Sequence, residues 1–108
     1  MENFQIFQDS VGNYHFRLLA SNRQVILKSQ AYTRKASAIN GIKSVIQSVT
    51  DEKNFEKKFL EDGNYYFILK AQNGETVGKS NIYASRAGME MGIKSVVRNV
   101  GADKGVIN

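Results

Sequence analysis

The sequence predicts an α+β fold, a tandem β-β-β-α repeat forming one antiparallel sheet of about six strands with two helices on one face. Three observations predict it. At an offset of 51 residues the chain matches itself, with 18 identities in 46 positions between residues 4–49 and 55–100 and no insertion. In each copy an apolar period of two residues gives way to one of three to four, as strands followed by a helix require. A unit of about 50 residues buries too little apolar surface to be stable alone, so the two copies are expected to share one core as a pseudo-two-fold pair.

Each element can be justified in order. Phe4 to Gln8 is short and partly apolar, and Asp9 to Asn13 then supplies turn-forming Asp, Ser, Gly and Asn. From Tyr14 the residues alternate. Tyr14, Phe16, Leu18 and Ala20 share one face, and His15, Arg17 and Leu19 the other. The second copy repeats this with Tyr65, Phe67, Leu69 and Ala71 opposed by Tyr66, Ile68 and Lys70. Turns follow at Ser21-Asn22-Arg23 and Gln72-Asn73-Gly74, where Asn-Gly is the strongest short hairpin signal and Arg23 the poorer match. Gln24 to Gln30 and Glu75 to Ser80 read as third strands, their inward face left open. Beyond Tyr32 and Tyr83 a helical stripe appears, Ala38, Gly41, Ile42, Val45 and Val49 in one copy and Met89, Gly92, Ile93, Val96 and Val100 in the other. Thr33 and Ser85 are candidate caps. A mid-helix glycine costs roughly 1 kcal/mol against alanine, so Gly41 and Gly92 on the apolar stripe predict a close approach of the helix backbone to the sheet.

The 108 residues make one domain, residues 1–52 forming the first repeat and 53–108 the second. Without Cys there is no disulfide, thiolate metal site or cysteine nucleophile, and a single His makes no multi-histidine metal cage, so neither metal nor cofactor is expected. No apolar run is long enough to span a membrane. Met1-Glu2-Asn3 lack the basic start and apolar stretch of an export signal, so a cytoplasmic protein is expected. The net charge of +5 permits an anionic partner without naming one. It is lopsided, with six Lys and Arg against two acids in residues 1–50 and nine against eight in residues 51–108.

The pattern F-x-L-x-A-x-N, then K-S-x-x-Y, then G-I-K-S-V, running from Phe16 to Val45 and again from Phe67 to Val96, resembles the YegP-like family of small bacterial tandem-repeat proteins. The resemblance implies two β3-α units joined in one curved sheet and implies no activity, since that family is of uncharacterised function. Single-repeat relatives would dimerise to complete the sheet, which makes a monomer the expectation here, with weak self-association as the alternative.

The chemistry is sparse. No G-x-S-x-G, Walker loop, G-x-G-x-x-G or H-E-x-x-H occurs. His15 is the one imidazole, and no Asp or Glu at readable spacing orients it, so no enzyme is expected unless around that residue. His15, Arg17, Tyr66 and Lys70 form a candidate binding site on the outer sheet face. A non-catalytic module for protein interaction or structure, docking a protein partner by that face or by an edge strand, is the leading expectation. The alternative is weak single-strand nucleic-acid binding through the basic first repeat, using Arg17, Arg23, Lys28, Arg34, Lys35 and Lys43. On that charge balance, an anion site is expected in what the two copies do not share.

Overall fold

The computed structural model of the chain describes residues 3–107, the side chains of 102–107 excepted. Met1, Glu2 and Asn108, which the sequence reading assigns to the two repeats and, for Met1 and Glu2, to the export question, lie outside the described residues. The first repeat comprises β1 (Phe4–Gln8), β2 (Tyr14–Leu19), β3 (Val25–Lys28) and α1 (Lys35–Ser48). A short 3-10 turn at Glu52–Asn54 leads into β4 (Phe55–Phe59), β5 (Tyr65–Lys70), β6 (Thr76–Lys79) and α2 (Arg86–Ile107). The six strands form one sheet in the order β1-β2-β3-β6-β5-β4, every neighbouring pair antiparallel.

Both helices lie on one side of the sheet, and the helical stripe read from the sequence is buried throughout. It packs on Phe16, Leu18, Leu27, Phe67 and Leu69, so one core serves both repeats. The repeats meet where β3 pairs with β6, and there Lys28 stands directly opposite Lys79, its own counterpart. The pseudo-two-fold axis therefore passes between these two residues. The join is not fully symmetric: a Cβ on Gly78 would lie 2.7 Å from the side chain of Leu27, the residue equivalent to it. One leucine fills space that two could not share.

The third strands are shorter than the sequence suggests, for a local reason. Ser29 still donates its N–H to the Phe16 carbonyl, but its hydroxyl, not a backbone carbonyl, accepts from the Phe16 N–H at 2.8 Å. The same hydroxyl donates to the Gln30 carbonyl, and Ser80 repeats the arrangement with Phe67 and Asn81. The hydroxyl satisfies a backbone amide while the chain swings out of the ladder, which returns only at the Tyr14–Tyr32 and Tyr65–Tyr83 bridges. Both third strands bury their two central positions, 26–27 and 77–78. Leu19, assigned to the outer face by alternation, is buried beside a register shift in the β2–β3 pairing.

Two further expectations take sharper form. The atoms crowding the helix glycines belong to aromatic rings, a tyrosine at each and Phe16 as well at Gly41. A Cβ on Gly41 would lie 2.6 Å from the Tyr32 hydroxyl and 2.8 Å from Phe16, and one on Gly92 would lie 2.6 Å from Cζ of Tyr83. Burial raises the pKa of both tyrosines. Of the two proposed caps, Ser85 accepts the Gly88 N–H, whereas Arg34 occupies the N-cap of α1 and no side chain caps it. Thr33 lies one residue too early. Among the described residues no helix is long and apolar enough to cross a membrane.

Candidate binding face of the sheet

Alternation along β2 sends Phe16 and Leu18 into the core and His15 and Arg17 to the opposite, helix-free face. Strand register then fixes what joins them. Gln5 is opposite Arg17, Arg17 opposite Lys28, Lys28 opposite Lys79, Lys79 opposite Ile68, and Ile68 opposite Glu56. Directly opposed residues share a face, so Arg17, Lys28 and Lys79 form a row of three cations across the middle of the sheet. Among the described residues none of the three has a carboxylate within ion-pair distance. A depression of about 460 Å³ between Lys28 and Lys79 is also lined by Ser29, Gln30, Thr76, Gly78 and Ser80.

Rings stand at both ends of this row. Phe7, 40% exposed, is stacked on His15 with centroids 5.2 Å apart, and the Arg17 guanidinium lies 4.9 Å from the Phe7 centroid while its Nε donates to Gln5. Across the axis the Lys79 ammonium lies 4.9 Å from the Tyr66 centroid. In the outer part of the second repeat a single carboxylate is shared by two lysines: Glu56 accepts from Lys58 at 2.7 Å and pairs with Lys70 at 2.6 Å. Hydrogen bonds from Lys58 and then Lys70 hold its carboxyl at about 2.

His15 does have a carboxylate partner, contrary to the sequence reading. The β1–β2 hairpin returns Asp9 to the ring, with Oδ2 2.8 Å from Nε2, while Oδ1 accepts the N–H groups of Val11 and Asn13. The hydrogen bond with His15 is the main cause that lowers the Asp9 pKa, against a smaller opposing effect of desolvation. Asp9 thus fixes the turn and the imidazole together. The spacing Asp9-Ser-Val-Gly-Asn-Tyr-His15 carries this signal only once the hairpin register is known.

All four residues of the predicted face site, His15, Arg17, Tyr66 and Lys70, lie on the open face, and Lys70 is ion-paired with Glu56, which it shares with Lys58. The predicted nucleic-acid set divides. Arg17 and Lys28 are on the face, Arg23 is in the β2–β3 turn, Arg34 and Lys35 are at the start of α1, and Lys43 is exposed on α1, on the other side of the sheet. The row joins unshared and shared positions: Arg17 has Ile68 as its counterpart in the second repeat, whereas Lys28 and Lys79 are equivalent residues. Lys79 and Phe7 were missed. The repeated Lys-Ser pair was the available signal, but nothing in it discloses that both lysines meet at the axis.

A family model described as a domain of unknown function, DUF1508, matches the chain twice, over residues 9–56 and 61–105. The chain belongs to this family. Among its relatives, UPF0339 protein MS1092 of Mannheimia succiniciproducens is 48% identical over 88 residues, 82% of this chain and 78% of that protein. The solution structure of UPF0339 protein SO3888 from Shewanella oneidensis superposes with a TM-score of 0.86 at 38% identity, covering 90% of this chain and 82% of that one. That of yegP from E. coli, a protein of unknown function, gives 0.85 at 40% identity, with 90% and 84% covered. The YegP-like resemblance read from the repeated motifs holds, and the two solved relatives share the fold.

Proposed function

We propose that the chain is a non-catalytic binding module whose open sheet face receives single-stranded nucleic acid. The observation that carries this reading is the row Arg17, Lys28 and Lys79, which has no carboxylate partner among the described residues. Like charges directly opposite one another destabilise a sheet, so the fold gains nothing from setting Lys28 against Lys79, whereas a phosphate lodged between them offsets the repulsion. Phe7 with His15 at one end and Tyr66 at the other supply rings on which bases stack, a mode indifferent to sequence. A protein-docking face, the leading expectation from sequence, calls for a continuous apolar patch. Among the described residues the exposed large apolar ones, Phe7, Val11, Phe59, Ile82, Met91 and Val97, are instead distributed over β1, a turn, β4, a loop and α2.

The test is anisotropy of a labelled oligothymidylate as a function of salt. With about 0.7 counterions released per phosphate contact on a single strand, three contacts predict a slope of log affinity on log salt near −2. Replacing both Lys28 and Lys79 by Ala should bring it to about −0.7, while Lys43→Ala leaves it unchanged. Absence of binding at low salt, or equal sensitivity to Lys43→Ala, would overturn the reading.

A further inference from the structure

The two edges of the sheet occupy equivalent places in the repeats and are built differently. β4 reads Phe-Glu-Lys-Lys-Phe, and its charges are engaged, Lys57 with Glu90 and Lys58 with Glu56. Charged side chains are how natural proteins keep an edge strand from pairing with another chain. β1 reads Phe-Gln-Ile-Phe-Gln, without charge, proline or glycine. Because the fold is the same on both sides, this difference is not demanded by the fold.

The register states which backbone groups of β1 are free. The Asp9 N–H donates to Asn13 and the Leu19 N–H to Asn3, so the inward-bonded positions of β1 are Gln5 and Phe7, and Phe4, Ile6 and Gln8 turn their N–H and C=O groups outward. We infer that this edge pairs antiparallel with β1 of a second copy of the chain, centred on Ile6, so that Phe4 of each copy meets Gln8 of the other. The neutral sequence identifies the occupant: β1 against itself places no like charges opposite one another, and an isologous pair closes after two copies. The same pairing at β4 would set Lys57 against Lys57. The two-fold axis of an antiparallel β1 pair is perpendicular to the sheet, so the open faces of both copies lie on one side of a twelve-stranded sheet. This inference concerns a different surface from the cation row and stands without it.

Pairing through five residues falls below the size of a stable interface, so association is expected to be weak. Sedimentation velocity from about 10 µM to about 1 mM, the range suited to weak interfaces, should show a monomer–dimer equilibrium without nucleic acid, and amide exchange should slow at Phe4, Ile6 and Gln8 as concentration rises. Ile6→Lys, which copies Lys57 of the second repeat into its equivalent position, should weaken dimerisation at least tenfold. So should Gln8→Pro, which removes an outward N–H. Lys57→Ala should not. A native-like amide spectrum of each variant confirms folding. A monomer at every concentration, or a dimer that persists in both folded variants, would overturn the inference; either result leaves the nucleic-acid reading to its own salt titration.

Discussion

Replacing Gly92 by Ala should destabilise the protein even though alanine is the better helix former. The new Cβ would lie 2.6 Å from Cζ of Tyr83 and nearer still to its hydroxyl. Tyr83 has little room to retreat, because its ring stacks on Phe67 and its backbone exchanges hydrogen bonds of 2.7 and 2.8 Å with Tyr65. Overpacking of this kind costs about 1–3 kcal/mol, and the gain in helix propensity returns about 1 kcal/mol. The expected net loss is about 1 kcal/mol and at most about 2 kcal/mol, a fall in Tm of about 4–8 °C for a domain of this size. Gly101, in the same helix, has no heavy atom within 4 Å of an added Cβ, so Gly101→Ala should stabilise by up to about 1 kcal/mol. Urea unfolding followed by circular dichroism measures both. Gly92→Ala should also become less harmful in a Tyr83→Ala background, the coupling expected of residues in contact. Equal stabilisation by the two glycine substitutions, or no coupling to Tyr83, would refute the proposed packing of tyrosine beneath the helix.

Arg23 has a φ of 70°, in the left-handed region that glycine occupies at the equivalent Gly74, where φ is 85°. That conformation costs a non-glycine residue about 1–2 kcal/mol, partly offset by the greater chain entropy of glycine when unfolded, so Arg23→Gly should raise the urea midpoint by about 0.5–1 kcal/mol equivalent. An unchanged or lower midpoint would show that the Arg23 side chain contributes something the geometry does not reveal. Glu56 supplies a pH test. Its carboxyl is held at about 2 against an ordinary value of 4.5, so on acidification the unfolded chain takes up the proton first. The pairing contributes fully above about pH 4.5 and is lost as pH falls towards about 2. Across that window the urea midpoint of Glu56→Gln should fall less steeply than that of the parent; identical slopes would contradict the assignment.

The repeat made the fold legible. An unbroken offset of 51 residues set the order of elements twice over, and the helical periodicity identified ten buried positions while passing over the equivalent, buried Ser48 and Asn99. What escaped was the geometry that local pattern does not encode. Ser29 and Ser80 take over a backbone hydrogen bond, so the third strands end sooner than their composition suggests. Asp9 meets His15 through a hairpin return, and a search by linear spacing passes over it. The site was half legible for the same reason. Arg17, His15 and Tyr66 could be placed from alternation, Lys28 was named by charge alone because the inward face of the third strand stayed open, and the pairing of Lys28 with Lys79 depends on β3 adjoining β6, a long-range contact. Counting charge by repeat pointed away from it, because the excess in the first repeat includes Arg34, Lys35 and Lys43, which lie off the face.

The central claim is that nucleic acid meets the row at the pseudo-two-fold axis and not the basic residues of α1. Amide and side-chain chemical shifts of the labelled protein, followed during addition of oligothymidylate at low salt, test it most directly. The account predicts that the largest shifts cluster at Phe7, His15, Arg17, Lys28, Tyr66 and Lys79, in both repeats at once, and vanish at high salt. Shifts confined to Arg34, Lys35 and Lys43, or none at low salt, would contradict it.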